Sequence, residues 1–591
     1  WVETLARTRR YMAMNLFIGA SVMPSIANST LNQLVLSTPD DDDALPGWNW
    51  ERRKFYSELK KKLSQDEEDG EGNDVTAIAW VKYGSRIISY LIEETGDEFE
   101  ESDVLAASDT ILHMIRNISA IQESENVTGS ILNEVPAEMN LVDVQTIIDE
   151  ASASGDSKLK LESYFDVLFS EFPELELNFT YDKLLVYKKP YFALIAEYLE
   201  NLDDTDINLF IWWNVVYTLA SHTNEDLKLT KENFIRKIIG DFPTETRSSV
   251  CMQTVYSLMS QALGFFISQK VEETRINKVH SMIHDIRQAF ISYISKLSWM
   301  DGKTKTASID KLNNFNVFVG TPEWMKNRTE FEELYVNVTL AEDDHFHNIV
   351  NLLDAIMVAT LESLRITNDH STSEFDPLDI NAYYDPSSNS ITVPYGILQF
   401  PFYNLGIEAL NYGAIGTVLG HEMTHGFDNT GRKFDKYGNV HPWWSNSSVA
   451  KYTNRTTCFE SEYSDFALPH VNTSIVKIDG KLTLGENLAD DGGLKFALNA
   501  YQSHVNTHGH EPKLPGLQSF THDQLFFLSF ANLWCSEYSV SALLQALEDE
   551  HSPDFVRVLV VLQNSPEFSE AFSCPKGSYM NPHHKCKLWT R

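Results

Sequence analysis

From about residue 75 to residue 320, apolar residues recur with the spacing of amphipathic helices. In residues 190–201 they take positions i, i+3, i+4 and i+7 of one helix face, beginning at Phe192. Residues 278–299 repeat this spacing, and glycine and proline are sparse throughout the region. The pattern predicts one large helical lobe.

Beyond residue 320 the pattern of apolar positions changes. Residues 380–394 alternate around a Pro-Ser-Ser-Asn turn, which predicts two short strands. Helical spacing then returns over residues 406–427 and again over residues 522–547. This part of the chain is therefore predicted to combine α-helices with a small β-sheet.

Composition narrows the classes of function. The chain has 591 residues, 43% of them hydrophobic, which is enough for large packed cores. Its 47 basic and 84 acidic residues give a net charge of −37, which argues against binding to nucleic acid or to anionic lipid. No stretch approaches the ~18 continuous apolar residues of a membrane span. The N-terminus lacks the pattern of a signal peptide, so the chain is expected to begin inside the mature protein or to have its export signal upstream.

Cysteines and glycosylation motifs indicate the compartment. The five cysteines are an odd number, so at least one lacks a partner within this sequence. The chain has nine N-x-S/T motifs, against roughly five expected by chance. Together these features favour an extracellular or lumenal protein. The motif asparagines are Asn28, Asn117, Asn126, Asn178, Asn327, Asn337, Asn446, Asn454 and Asn472.

A metal-binding motif lies in the helix predicted over residues 406–427. His421-Glu422-Met423-Thr424-His425 is an H-E-x-x-H sequence. Residues at i and i+4 share a helix face, so both imidazoles can bind one zinc ion. Glu422 lies about 100° around the helix, where it can reach a water on the metal. The motif predicts a zinc site with Glu422 as general base.

Catalytic zinc needs a third protein ligand and one open position. A third histidine at the H-E-x-x-H-x-x-G-x-x-H spacing is excluded, because that position is Gly431. A distant carboxylate is the alternative, and Glu486 opens a segment of leucine and alanine. Asp490 follows one turn later, where it can accept the second ring N–H of a ligand histidine.

Four separated motifs resemble the neprilysin/endothelin-converting-enzyme family of zinc metallopeptidases. They are HEMTHGFD, GENLADDGG, NAYY and the terminal CPKGSYMNPHHKCKLW. The resemblance is dense from about residue 381 to 589 and weaker towards the N-terminus. It implies a mainly α, two-lobed fold with a smaller α/β part. A helical lobe (residues 1–324) and a thermolysin-like catalytic lobe (residues 325–591) would enclose a cavity that admits peptides.

The resemblance also implies roles for individual residues. The positions that match the family's zinc ligands are His421, His425 and Glu486. Those that match its catalytic residues are the general base Glu422, the oxyanion-stabilising His551, and Asp490, which supports a ligand histidine. Those that match its substrate-binding residues are Asn381, Ala382, Arg557, Ile397, Phe402, Val418 and Trp534.

Each group of substrate-binding positions has its own expected task. Asn381 and Ala382 would pair with an extended peptide as an added strand, and Arg557 would bind the peptide backbone. The four apolar residues would line a pocket for a bulky apolar residue just after the scissile bond. The expected activity is thus a zinc endopeptidase, with one Zn²⁺ per chain, that cleaves small bioactive peptides.

Further expectations concern cysteines and location. By resemblance, Cys458 and Cys586 form a disulfide, whereas Cys251, Cys535 and Cys574 match cysteines whose partners lie in a stretch preceding this chain. The resemblance implies the ectodomain of a single-pass type II membrane protein or a secreted protein, and a homodimer is left open. Two alternatives remain: an inactive binding protein on the same scaffold, and an inactive truncated product.

Overall fold

The computed structural model describes residues 1–39, 75–122, 124, 134–175, 177–239, 246–370, 375–468, 477–539, 542–543 and 546–590. Its helices before residue 380 are α1 (Val2–Met12), α2 (Val75–Thr95), α3 (Glu101–Gln122), α4 (Leu141–Ala151), α5 (Leu161–Leu168), α6 (Lys189–Glu200), α7 (Asp204–Leu219), α8 (Glu225–Ile239), α9 (Arg247–Ser268), α10 (Glu273–Lys296), α11 (Gly302–Asn313), α12 (Arg328–Leu334) and α13 (His345–Glu362). Those after it are α14 (Glu408–Gly413), α15 (Ile415–His425), α16 (Asn446–Ser464), α17 (Leu484–His508), α18 (His522–Leu533), α19 (Asp554–Asn564) and α20 (Pro566–Ala571).

Two small sheets accompany the helices. The first has the order β1-β2-β4-β3, formed by Gly19–Pro24, Asn32–Ser37, Lys183–Val186 and Ala137–Asn140. In the second, β7 (Ser390–Pro394) lies between β5 (Asn316–Gly320) and β6 (Tyr383–Asp385). The strands β6 and β7 are the antiparallel pair predicted over residues 380–394. The mainly α architecture with a smaller α/β part is also as predicted.

The helices and strands enclose two large hydrophobic cores. The first is built mostly from residues 5–258 and also takes in α13. The second extends from Val279 to Trp589 and contains α10, α15 and α17. Thus α10, which precedes residue 324, lies in the second core, whereas α13, which follows it, lies in the first. The boundary between lobes at residue 324 therefore stays a prediction.

Two helices differ from their predicted bounds. The helix expected over residues 406–427 is broken at Ala414, because the Ile415 amide donates to the carbonyl oxygen of Phe402 instead of continuing the helical ladder. The helix expected over residues 522–547 ends at Leu533. There the next residue, Trp534, lies against the guanidinium of Arg557.

Glycines bring α15 and α17 into close contact. A Cβ built on Gly420 would lie 2.8 Å from the carbonyl oxygen of Gly493. A Cβ on Gly493 would lie 2.6 Å from the carbonyl oxygen of Thr417. The backbones can approach this closely because neither residue has a side chain. The contact carries the first turn of α17 up to the H-E-x-x-H face of α15.

The structure also bears on the compartment and on membrane segments. Cys458 and Cys586 form a disulfide, which is the pairing implied by the resemblance. By length and composition alone, α9 could cross a membrane, although no such segment was predicted. The motif asparagines that the structure describes are all exposed: Asn28, Asn117, Asn178, Asn327, Asn337, Asn446 and Asn454. Asn126 and Asn472 lie outside the described residues.

Candidate active site

The three predicted metal ligands meet where α15 and α17 cross. The Nε2 atoms of His421 and His425 lie 2.9 Å apart. The Glu486 carboxylate approaches both rings, with Oε2 3.0 Å from His421 Nε2 and Oε1 3.4 Å from His425 Nε2. One ligand atom from each of the three residues lies within 4.8 Å of the other two, as binding to a single ion requires. All three side chains are largely withdrawn from solvent.

The hydrogen bonds of the two Nδ1 atoms determine what can lie between the Nε2 atoms and the Glu486 carboxylate. His421 Nδ1 donates to Asp490 Oδ1 at 2.9 Å, and His425 Nδ1 donates to Asp428 Oδ2 at 2.7 Å. In neutral rings both Nε2 atoms are then lone-pair acceptors that face each other and a carboxylate. Acceptors at this separation repel one another unless a proton or a metal ion lies among them. The donor set therefore fits a metal ion.

Nearby carboxylates also make the two histidines more basic. Burial alone would lower both pKa values, but Asp490, Asp428 and Glu486 outweigh it and raise the pKa of His421 and, more strongly, of His425. Burial alone would raise the pKa of Glu486, but its contacts with the histidines of the site, His425 foremost, hold that pKa well below its usual range. Basic rings facing an ionised carboxylate are good ligands for a metal.

Glu422 is buried beside the ligands at 5% exposure. Burial raises the pKa of its carboxyl group, an effect opposed by His421 and His425 and assisted by Glu486. Because it follows His421 directly on α15, its side chain points about 100° away from the ligand face. That position leaves the carboxyl group free to accept a proton near the metal site.

Arg557 and Trp534 lie behind the metal ligands. Arg557 donates from Nε and Nη2 to the two oxygens of Asp490, each at 2.8 Å. Its guanidinium carbon stands 3.8 Å from the centre of the Trp534 ring. Burial would raise the pKa of Asp490, but Arg557 and His421 outweigh it and lower the pKa. Arg557 therefore supports His421 through Asp490, and its Nη1 has no part in that pairing.

His551 approaches the site from the loop before α19. Its Nε2 lies 3.0 Å from Glu486 Oε2, and its Nδ1 lies 2.8 Å from Asp549 Oδ1. Ser552 donates to Asn487 Oδ1 on α17 at 2.9 Å, which ties this loop to the ligand helix. Burial alone would lower the pKa of His551, but the hydrogen bonds to Asp549 and Glu486 raise it to about 10.

The predicted substrate-binding residues occupy two places. Asn381 and Ala382 directly precede β6, an edge strand of the second sheet. The Ala382 amide donates to the side-chain oxygen of Asn381 at 2.9 Å. The apolar residues are buried or half-buried against the second core, and they are Ile397, Phe402, Val418 and Trp534. Val418 lies on the same face of α15 as His421 and His425, at i, i+3 and i+7.

Sequence reasoning missed two carboxylates that orient histidines of the site. Asp428 was given no role by the sequence, yet it accepts the ring N–H of His425. Its signal was its position three residues after a ligand histidine. Asp549 does the same for His551 from two residues upstream. A short acidic side chain so near a functional histidine can reach its Nδ1.

Comparison with known proteins identifies the family. The profile of peptidase family M13 matches residues 381–588, and the profile of its N-terminal region matches residues 1–322. The chain belongs to peptidase family M13. An M13 peptidase requires a metal cofactor, in agreement with the donor set of His421, His425 and Glu486.

Several M13 relatives are similar over much of this chain. Neprilysin-11 of Caenorhabditis elegans is 34% identical over 412 residues, which are 69% of this chain and 48% of the relative. Endothelin-converting enzyme 1 of Mus musculus is 37% identical over 422 residues, which are 71% of this chain and 54% of the relative. The chain thus spans about half the length of the curated relatives that it matches.

Solved structures support the M13 fold. The zinc metalloprotease ZMP1 of Mycobacterium tuberculosis, in complex with an inhibitor, superposes with a TM-score of 0.80 at 22% identity. The match covers 100% of this chain and 83% of ZMP1. The likeness confirms the predicted mainly α, two-lobed fold.

Proposed function

We propose that this chain is a zinc-dependent endopeptidase that cleaves short peptides on the amino side of bulky hydrophobic residues. The observation that carries the proposal is the convergence of His421, His425 and Glu486, with both histidine Nδ1 atoms already committed to carboxylates. Two imidazoles and one carboxylate are a ligand set of catalytic zinc. When bound, zinc would act as a Lewis acid on the scissile carbonyl and make water nucleophilic at neutral pH.

The chain's own residues would perform the remaining steps. Glu422 would accept a proton from the attacking water and deliver it to the leaving amine. His551, beside Glu486, would donate to the oxyanion of the tetrahedral intermediate, and loss of such a donor typically lowers kcat by about 10²–10³-fold. Arg557 would offer Nη1 to a carbonyl of the substrate while Nε and Nη2 hold Asp490.

Peptide binding would use the open edge of the second sheet. Asn381 and Ala382 would hydrogen-bond an extended substrate beside β6. The Asn381 side chain would then give up its contact with the Ala382 amide and bond to the substrate instead. The apolar residue after the scissile bond would enter a pocket formed by Ile397, Phe402, Val418 and Trp534.

The deciding experiment is cleavage of a fluorescence-quenched peptide with Phe or Leu after the scissile bond. A chelator should stop turnover and added zinc should restore it. Glu422→Gln should lower kcat by about 10²–10⁴-fold with zinc still bound. The matched control is Glu462→Gln, a half-buried glutamate that accepts from Asn564 Nδ2 at 2.6 Å, which should keep full turnover. A folded, zinc-loaded wild type without turnover would instead support a binding protein on this scaffold.

We also propose an extracellular location, since a disulfide between Cys458 and Cys586 is stable in an oxidising compartment. The exposure of the described motif asparagines is compatible with glycosylation there. A homodimer and a type II membrane anchor stay predictions.

A further inference from the structure

A buried lysine lies under the C-terminal end of α15, the helix that carries His421 and His425. Lys311, on α11, has 0% of its surface exposed. Its Nζ donates to the carbonyl oxygens of Gly426, Gly431 and Phe434, each at 2.8 Å. An ammonium group has three donors, so these carbonyls use all of them. Lys311 thus fastens three points of the turn that follows α15.

The same turn carries the carboxylate that orients a metal ligand. Asp428 accepts from His425 Nδ1 through Oδ2, and through Oδ1 from the amides of Thr430 and Gly431 at 2.7 and 2.6 Å. Gly431 therefore donates its N–H to Asp428 and accepts Lys311 at its carbonyl. The two peptide groups that flank Gly431 thus connect Lys311 to the Asp428 carboxylate.

Burying this ammonium group is costly, which argues that it has a specific task. Among the described residues, the hydrogen-bond partners of Lys311 Nζ are three backbone carbonyls and no carboxylate. Burial lowers the pKa of Lys311 to about 7, although Asp428 and Asp435 act to raise it. The rings of Tyr384, Phe427 and Trp443 stand 5.5–5.7 Å from Nζ. An apolar side chain would fill such surroundings without the cost of burying a charge, but it could not bind three carbonyls.

We propose that Lys311 is a positioning residue of the metal centre. By holding the carbonyls of residues 426, 431 and 434, it fixes the turn that presents Asp428 to His425. This inference rests on the proposed function, because it takes His425 as a zinc ligand. Orientation of a ligand histidine by its hydrogen-bond partner typically changes metal affinity by about 10–100-fold.

The test is a set of double-mutant cycles read out as zinc affinity, measured by competition with a chromophoric chelator. Lys311→Met and Asp428→Asn should each weaken zinc binding by about 10–100-fold. The double variant should be little weaker than either single variant, because both changes act through one contact. Lys311→Met combined with Asp490→Asn should instead multiply the two losses, since Asp490 orients His421 and not His425. The visible spectrum of the cobalt-substituted protein should change alike in Lys311→Met and Asp428→Asn.

Lys188→Met is the matched control for loss of a buried lysine. Lys188 lies in the first core region, paired with Glu134 at 3.4 Å, so its loss should leave zinc affinity unchanged. If Lys311→Met does not unfold cooperatively, Lys311→Gln, which keeps two donors, takes its place in both cycles. If Lys311→Met left zinc affinity unchanged, or if its loss multiplied with that of Asp428→Asn, only the role proposed for Lys311 would be overturned. A wild type that binds no zinc would overturn the proposed function as well.

Discussion

Arg557 and Asp490 form a buried bidentate ion pair directly behind a predicted metal ligand. Both of its hydrogen bonds measure 2.8 Å, and Asp490 also accepts the ring N–H of His421. One carboxylate therefore joins the guanidinium to the imidazole. The arrangement gives Arg557 a structural task in addition to the substrate contact proposed for it.

Replacing Arg557 with methionine should destabilise the whole catalytic region. The change leaves Asp490 as a buried charge without its partner, which typically costs about 3–5 kcal/mol. Urea denaturation of the metal-free protein measures this loss, and kcat/KM should fall with it. Arg328→Met is the control, because Arg328 and Glu332 form an exposed pair that should contribute little. Equal stability of the two variants would contradict the structural task.

Gly493→Ala should push α15 and α17 apart. Its Cβ would lie 2.6 Å from the carbonyl oxygen of Thr417 and 2.8 Å from the amide nitrogen of His421. Relieving such overpacking typically costs about 1–3 kcal/mol, and the shift should also weaken zinc binding by moving Glu486. Thermal unfolding and chelator competition measure the two effects. The control Gly302→Ala adds a methyl group on α11 where no atom outside its own helix turn lies within 4 Å, and it should lower neither quantity.

Removing the disulfide should lower stability without altering the site. Cys458 and Cys586 are 128 residues apart, so the bond restricts a long loop of the unfolded chain. We expect the double replacement by serine to cost about 3–5 kcal/mol in the free energy of unfolding, with kcat retained at low temperature. Cys251→Ser removes an exposed free thiol and should have little effect on unfolding. A large loss of stability in Cys251→Ser alone would show that this thiol has a partner.

A histidine pair should make the structure sensitive to acid. Burial lowers the pKa of His222 from 6.5 to about 4, and the nearby His345 and Lys231 add to the effect. The unfolded chain therefore binds a proton that the folded chain resists, and stability should fall as pH drops from 6.5 towards 4. The loss should reach about 3 kcal/mol at most, and His222→Gln should reduce it. Urea titrations at pH 7 and pH 4.5 test this, with the exposed His113→Gln as control.

Local features of the sequence predicted much of the site. The spacing of His421 and His425 places them on one helix face whatever surrounds the helix, so two candidate ligands and the neighbouring Glu422 followed directly from the sequence. The strands β6 and β7 were likewise indicated by alternation around a turn. Such features depend on residues a few positions apart, and backbone geometry alone converts them into structure.

The tertiary structure decided the contacts between distant segments. The sequence left Glu486 as one carboxylate among many until a family resemblance favoured it, and it did not indicate that Arg557 would hold Asp490 or that Lys311 would lie under the turn after α15. It also did not reveal the break at Ala414, which arises when the Ile415 amide bonds to Phe402. These contacts depend on how closely helices pack, as Gly420 and Gly493 show. Packing joins residues far apart in the chain, and no local periodicity records which of them will meet.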